Sequence, residues 1–157
     1  MCINYNLLTG TPIKKNGWMN MDVDRMKHTL AVARKMVEIG KNLKLTEEQQ
    51  QELFTLGFVH DIGYEYPNRD YQHNVIGGEM LKESGYKYWE EVYYHGNPNT
   101  SYESLYLTIL NMADMQIDKY GNDVGYTKRL EDIKSRYGED STPYQNCVKL
   151  INQLQKL

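Results

Sequence analysis

Two residues that can bind a metal ion or transfer a proton lie side by side in an apolar part of the chain. His60 and Asp61 occupy the middle of the segment FVHDIGY, residues 58–64. A second carboxylate, Asp114, follows the largely apolar segment LTILNMA, residues 107–113. Imidazole and carboxylate groups act as general acids and bases, and they are also common ligands of divalent cations. Which role applies here depends on the elements that carry these residues.

Helical periodicity places the His-Asp pair on a face that should point into a core. A helix over residues 46–62, laid out at 100° per residue, has an apolar face of leucines and phenylalanines that includes Phe54. His60 and Asp61 both lie within that face.

The same anomaly recurs elsewhere in the chain. Asp114 lies between two leucines on the apolar face of a predicted helix over residues 101–119. The remaining histidines of the chain also lie on or beside inward helical faces: His28, His73 and His95.

The overall pattern predicts an all-α helical bundle of about six to seven helices. Segments with helical periodicity are 22–43, 46–62, 73–84, 87–95, 101–119, 126–137 and 143–156. Thr46 and Gln49 predict a capping box at the start of the second helix, Gly63 predicts its end, and residues 63–72 predict a polar loop. We expect one domain over residues 1–157, with an irregular arm at 1–20, the helices of the polar site at 21–120 and the C-terminal helices at 121–157.

Each inward polar residue has an ordinary structural explanation when it is taken alone. A buried histidine is usually hydrogen-bonded in the core, and a buried aspartate often pairs with an arginine, for which Arg25 is the main inward candidate. However, burying an ionised carboxylate is costly, and Asp61 also lies at a predicted helix C-terminus, where the macrodipole is negative. One divalent cation would satisfy both carboxylates together with neutral imidazoles. A single metal site therefore explains the pattern better than several coincidences.

The order of these residues resembles the HD superfamily of metal-dependent phosphohydrolases. FVHDIGY is similar to the end of that family's HD helix, and ILNMADMQID is similar to the helix that carries its last aspartate. The resemblance covers about residues 28–119 and implies an all-α fold of the HD type. It also implies a metal site made of His28, His60, Asp61 and Asp114.

Two more histidines resemble those of subfamilies with two metal ions, which include bacterial symmetrical dinucleoside-tetraphosphate hydrolases. His73 and His95 lie between the HD pair and the last aspartate, and by this resemblance they would bind a second ion with Asp61 as a bridge. The alternative is that they only line the pocket. The short spacing from His60 to His73 and the Gly96 that follows His95, where dinucleotide hydrolases usually have threonine, both depart from the family pattern.

The segment after the HD pair is the candidate substrate-binding loop. Many relatives have a basic residue at the position of Tyr64, so Arg69 in the same loop is a candidate to bind substrate phosphate instead, beside Tyr64. Asp61, His73 and His95 are the candidate catalytic acids or bases.

The resemblance implies hydrolysis of a phosphoester or phosphoanhydride bond in a small nucleotide-like substrate by metal-activated water. One or two divalent transition-metal ions are expected, and iron, manganese, cobalt, nickel or zinc would each suit these ligands. Two alternatives stay open: a di-iron oxygenase on the same fold, and a non-catalytic module that a metal stabilises and that binds a ligand or protein.

Composition limits the classes of partner. The 157 residues carry a formal net charge of −3, which predicts no binding to polymeric nucleic acid. No segment has the length of a membrane span or the pattern of a signal peptide, and Cys2 and Cys147 lack metal-binding or redox spacing. We therefore expect a cytoplasmic protein, and the resemblance implies a small phosphorylated metabolite or nucleotide as its partner.

Overall fold

The computed structural model describes residues 23–65 and 72–157, and this part of the chain is helical. It contains seven α-helices: α1 Val23–Asn42, α2 Glu47–Val59, α3 His73–Glu83, α4 Trp89–Tyr94, α5 Leu105–Asp114, α6 Gly125–Tyr137 and α7 Thr142–Leu154. A short 3₁₀ helix, η1, spans Ile62–Glu65, and one isolated antiparallel bridge joins Ile117 to Asp123. The predicted all-α fold class is confirmed.

The helices α1, α2 and α5 pack around the main core, and this packing brings the polar residues together. Val32, Leu53 and Ile109, one from each helix, are completely buried. Burial of each such side chain stabilises the fold by about 1.5–3 kcal/mol. Gly57 allows α1 and α2 to approach closely, because a Cβ atom there would lie 2.6 Å from the Cα atom of Ala33. The approach brings the inward residues of α1 close to the end of α2.

Helix α2 begins where the sequence predicted, but it ends earlier than predicted. The Thr46 hydroxyl accepts a hydrogen bond from the backbone of Gln49, whose side chain accepts one from the backbone of Thr46, so the capping box is confirmed. The helix ends at Val59 rather than at residue 62. Gly63 is not its stop: this glycine lies in η1, where a Cβ atom would be only 1.8 Å from the carbonyl oxygen of His73. A glycine is needed there because two backbone segments touch.

The apolar face predicted for α2 is wider than the surface that other helices cover. Phe54 was expected to point inward, but 37% of its surface is exposed. Its ring stacks on that of Phe58, with 6.5 Å between centroids. The periodicity identified the inward side of the helix but overstated its width.

Helix α5 is also shorter than the predicted range of 101–119. Ser104 caps its N-terminus, because the hydroxyl accepts a hydrogen bond from the backbone of Leu107. Beyond its C-terminus the backbone turns back on itself, and the amide of Val124 donates to the carbonyl of Gln116. These hydrogen bonds replace those of a continued helix, so Asp114 is the last helical residue.

The remaining four helices pack as two pairs beside the central helices. Helix α3 packs against η1 and α4, and α6 packs against α7. A second, smaller apolar cluster joins Met115, just after α5, to residues of α7 such as Leu150. Within residues 23–65 and 72–157, no helix combines the length and apolar character that crossing a membrane requires.

Candidate metal centre

Six polar side chains from five elements converge between α1, α2 and α5. They are His28 of α1, His60 and Asp61 just after α2, His73 at the start of α3, His95 just after α4, and Asp114 at the end of α5. All except His73 are buried. These are the six residues that the sequence nominated as metal ligands, and the fold brings them together.

The histidine Nε2 atoms surround the two carboxylates. Nε2 of His28 lies 2.9 Å from Oδ1 of Asp114. Three histidines face Oδ1 of Asp61, at 3.4 Å for His60, 3.2 Å for His73 and 3.6 Å for His95. Nε2 of His60 is also 3.7 Å from Oδ1 of Asp114, so this ring lies between the two carboxylates.

The other ring nitrogen, Nδ1, is held by a backbone carbonyl in three of these histidines. Nδ1 of His28 is 2.9 Å from the carbonyl oxygen of Asp118, and Nδ1 of His60 is 2.6 Å from that of Gly57. His95 makes the same contact with the carbonyl of Val92, three residues earlier, at 2.6 Å. A carbonyl can only accept, so each Nδ1 carries the proton. In a neutral ring Nε2 then presents its lone pair to the site, as metal-binding histidines do.

His60 gives the clearest indication that a cation belongs here. Its Nε2 atom is fully buried and makes no hydrogen bond with any residue in the described part of the chain. The nearest carboxylate oxygens, at 3.4 and 3.7 Å, are too distant for good hydrogen bonds. A buried lone pair between two carboxylates is unfavourable unless a proton or a metal ion occupies the space.

The pKa values of these side chains indicate which of them are charged when no metal ion is bound. Burial by itself lowers the pKa of His60, but the negative charges of Asp61 and Asp114 outweigh it and raise that pKa to about 9. Burial by itself raises the pKa of Asp61, yet His60 and the other two facing histidines hold it well below its usual range. The same holds for Asp114 next to His28 and His60. Burial lowers the pKa of His95. The site therefore keeps both carboxylates ionised and attracts positive charge.

Two subsets of these residues could each hold a divalent ion. One is His28, His60 and Asp114, and the other is His60, Asp61 and His95; within each subset the ligand atoms lie within 4.8 Å of one another. Mixed imidazole and carboxylate donors suit iron, manganese, cobalt, nickel and zinc. The donor set thus fits a transition-metal ion, and Nε2 of His73, 3.2 Å from Nε2 of His95, adds a further donor beside the second subset.

Arg25 supplies the cationic partner of Asp61. Its Nη1 atom donates to Oδ2 of Asp61 at 2.8 Å, while Oδ1 of the same carboxylate faces the histidines. The guanidinium also lies over the ring of Tyr64, 4.0 Å from its centroid. The imidazole of His73 stacks on the same ring, with 4.1 Å between the two centroids. Burial by itself lowers the pKa of Arg25, but Asp61, together with Tyr64 and Asp114, outweighs burial and raises that pKa. Arg25 and a metal ion would therefore use different oxygens of Asp61.

Tyr64 therefore lies at the site, whereas Arg69 lies outside the described residues. Burial and the charge of Asp61 raise the pKa of the Tyr64 phenol, so this side chain stays neutral. Its ring forms one wall of the site between a guanidinium and an imidazole.

The glycine after His95 has a local structural reason. Gly96 has φ +74°, a left-handed conformation that disfavours a β-branched residue. Its amide donates to Oδ1 of Asn111, at 2.9 Å, one helical turn before Asp114. A threonine at this position would be strained in this backbone.

Sequence reasoning missed the carbonyls that orient the histidines. The carbonyls of Gly57 and Val92 lie three residues before His60 and His95, so helical geometry could have suggested them. Asp118 is 90 residues from His28 along the chain, so no local sequence pattern could indicate that its carbonyl contacts His28. Arg25 was noted as an inward cation, but its pairing with Asp61 depends on how α1 meets the end of α2.

The fold and the site define a class of protein: a helical bundle with a buried, electronegative cluster of histidines and aspartates. A family model described as HD domain matches residues 25–157, which include all six residues of the cluster. The chain belongs to the HD domain family. No curated protein and no solved structure matches the chain significantly. HD domains bind divalent metals and are typical of metal-dependent hydrolases, in agreement with the donor set.

Proposed function

We propose that this protein is a metal-dependent phosphohydrolase that cleaves a phosphoester or phosphoanhydride bond of a small, nucleotide-like substrate. One observation carries the proposal: three histidines have Nδ1 committed to backbone carbonyls and present Nε2 to two buried carboxylates. Such an arrangement has little value for stability alone, because it gathers lone pairs and negative charge in one buried place. It is well suited to a site that holds a divalent cation.

The proposed ligands divide into two sets. His28, His60, Asp61 and Asp114 would hold the first ion, and His73 and His95 would hold a second ion together with Asp61. A bound divalent cation supplies Lewis-acid charge to phosphoryl oxygens and lowers the pKa of bound water. The backbone carbonyls fix the rings of His28, His60 and His95, so these donors need little rearrangement.

The side chains at the opening of the site have separate roles in this proposal. His73 is the most accessible of the six residues, with 21% of its side chain exposed, whereas Asp61 is 3% exposed. If only the first ion is bound, His73 is therefore the best placed to give a proton to a leaving oxygen, with His95 and Asp61 as the alternative acid or base groups. Tyr64 is proposed to contact the substrate through its ring edge, since Arg25 and His73 already lie over the ring. Arg69 is proposed to bind substrate phosphate.

A small substrate is proposed because of the net charge of the protein and the limited exposure of the site. The net charge of −3 gives no extended basic surface for a nucleic-acid polymer. The guanidinium of Arg25, which pairs with Asp61 and has 21% of its side chain exposed, adds positive charge at the opening of the site. Mononucleotides and dinucleoside polyphosphates combine a phosphate group with a ring that can stack, so they are the substrates to test first.

The first test measures metal content and turnover on the same preparations. Protein purified without chelators is analysed for metals, then stripped and reloaded with manganese, cobalt, nickel, zinc or iron(II). Each form is assayed for release of phosphate or a nucleoside monophosphate from the compounds above. Asp61→Asn should lose both metal and turnover, whereas Asp140→Asn, the same change at an exposed position, should lose neither. Full metal content in Asp61→Asn would refute the ligand assignment.

One observation also favours a second candidate, a di-iron oxygenase on the same fold. Nε2 of His73 and Nε2 of His95 lie 3.2 Å apart beside Oδ1 of Asp61, which gives a second set of donors suited to iron. Consumption of oxygen by the iron-loaded protein with an organic substrate, without hydrolysis of any phosphate compound, would favour this candidate. Metal binding without either reaction, but with tight binding of a ligand or protein, would favour a non-catalytic module.

A further inference from the structure

A tight turn after α5 contacts the first helix at the position of His28. We call residues 117–123 the Asp118 loop. The loop is closed by the bridge between Ile117 and Asp123, and the amide of Asp118 donates to the carbonyl of Asn122 at 2.9 Å. It is a short hairpin-like turn whose conformation depends on a few hydrogen bonds.

The side chain of Asp118 organises the turn from inside. Its Oδ1 atom accepts hydrogen bonds from the amides of Tyr120, at 2.9 Å, and Asn122, at 2.8 Å. Its Oδ2 atom accepts a weaker one from the side-chain amide of Asn122, at 3.3 Å. A carboxylate that accepts from amides two and four residues later fixes the backbone of the whole turn.

The backbone carbonyl of the same residue points at the site. It accepts a hydrogen bond from Nδ1 of His28 at 2.9 Å and another from the amide of Gly121 at 3.1 Å. A carbonyl oxygen has two lone pairs, and both are used here. The side chain of Asp118 therefore holds the turn whose carbonyl, in turn, holds the ring of His28.

The loop is also attached to α1 at two points. Gly121 has φ +84°, and a Cβ atom there would lie 2.7 Å from the carbonyl oxygen of Lys27, the residue before His28. Further along α1, Nζ of Lys35 pairs with a carboxylate oxygen of Asp123 at 2.8 Å. Because the loop rests on α1 on both sides of His28, a change in the turn is transmitted to that ring.

We propose that Asp118 is a positioning residue for His28, which it fixes by shaping the turn and not by its charge. That His28 is a metal ligand rests on the proposed function. That Asp118 holds the ring of His28 rests only on the hydrogen bonds described above. Without the turn, the His28 ring can rotate or exchange its tautomer, and Nε2 is no longer held towards Asp114. Loss of such a partner of a metal-binding histidine typically weakens metal affinity by about 10- to 100-fold.

The test compares three variants with the wild type. Asp118→Ala removes the acceptors that shape the turn, whereas Asp118→Asn keeps Oδ1 as an acceptor and removes the charge. Asp140→Asn makes the same charge change at an exposed position outside the loop. The dissociation constant for Mn²⁺ or Co²⁺ is measured by competition with a chelating dye. We expect a 10- to 100-fold loss for Asp118→Ala and values close to wild type for the other two.

A second readout needs neither metal nor turnover. In the metal-free protein, the Nδ1 proton of His28 should exchange slowly with solvent and give a distinct NMR signal, assigned by its loss in His28→Gln. We expect the signal to persist in Asp118→Asn and to be lost or exchange fast in Asp118→Ala. If the wild type binds no metal, the proposed function fails, while this signal still decides whether Asp118 holds His28.

Circular dichroism is used to check whether each variant is folded. If Asp118→Ala does not fold, Gly121→Ala replaces it, since a methyl group there pushes the turn away from Lys27 while all acceptors of Asp118 remain. We expect the same two losses from that variant. Unchanged metal affinity and an unchanged His28 signal in a folded Asp118→Ala variant would overturn the proposal. Equal losses in Asp118→Asn and Asp118→Ala would also overturn it, because they would point to the charge.

Discussion

In the metal-free protein, the proton on His60 should make stability fall as the pH rises from neutral to about 9. The pKa of His60 is about 9 in the folded protein, against an ordinary value of 6.5, because Asp61 and Asp114 face it. A group whose pKa is higher in the folded state stabilises that state fully below its unfolded pKa, and the stabilisation is lost as the pH rises through the folded pKa. At about 1.4 kcal/mol per pKa unit, the full contribution is about 3 kcal/mol.

About half of that contribution, roughly 1 to 2 kcal/mol, should disappear between pH 7.5 and pH 9. The window avoids the depressed pKa values of the carboxylates and of His95, whose effects on stability are complete at lower pH. The raised pKa of Cys147, about 11, lowers stability slightly near pH 9. This effect is common to the wild type and to any variant of His60, so a difference between them removes it.

The assay is urea unfolding at pH 7.5, 8.25 and 9, with a chelator present and again with saturating Mn²⁺. His60→Gln is the control, since glutamine does not titrate in this range. We expect the metal-free wild type to lose roughly 1 to 2 kcal/mol more than His60→Gln over the window. With Mn²⁺ the loss should vanish or reverse, because the metal ion takes the place of the proton. Equal pH dependence of the metal-free wild type and His60→Gln would refute the view that His60 is protonated between two ionised carboxylates.

Four other substitutions test separate parts of the site and the fold. His73→Ala and His95→Ala should each lower the metal-to-protein ratio while the first ion stays bound; constant metal content with altered kinetics would mean that these histidines only contact the substrate. Gly63→Ala should lower the free energy of unfolding by about 2 to 3 kcal/mol in a chemical denaturation experiment, because the added Cβ atom meets the backbone of residue 73. Arg69→Ala should raise KM about tenfold and lower kcat much less in steady-state assays, if this arginine only holds the substrate phosphate.

Structural features that depend only on residues close together in the sequence were predicted well. The capping box at Thr46 and Gln49 depends on residues three apart, and it appears as predicted. The inward orientation of His60, Asp61 and Asp114 was predicted from the spacing of apolar residues within each of two predicted helices. All three residues are buried. Hydrophobic periodicity is a property of each helix on its own, so it can be read without knowing what the helix packs against.

Ends of helices were predicted less well because tertiary contacts decide them. Helix α2 ends before its predicted stop, and Gly63 is required by the backbone of His73, a residue of another helix. Helix α5 gives way to the turn around Asp118, whose hydrogen bonds depend on the position of α1. A single sequence does not display such contacts, since the partners are distant along the chain.

The sequence by itself determined the helical class and nominated the six residues that make up the cluster. It could do so because polar side chains on apolar helical faces are costly to bury and therefore stand out from the hydrophobic pattern. Only the tertiary structure decided how these residues are used together: which nitrogen of each imidazole faces the carboxylates, which oxygen of Asp61 belongs to Arg25, and that a turn beyond α5 holds His28. These features depend on distances of a few ångströms between separate helices, and only the packing of α1, α2 and α5 against one another sets such distances.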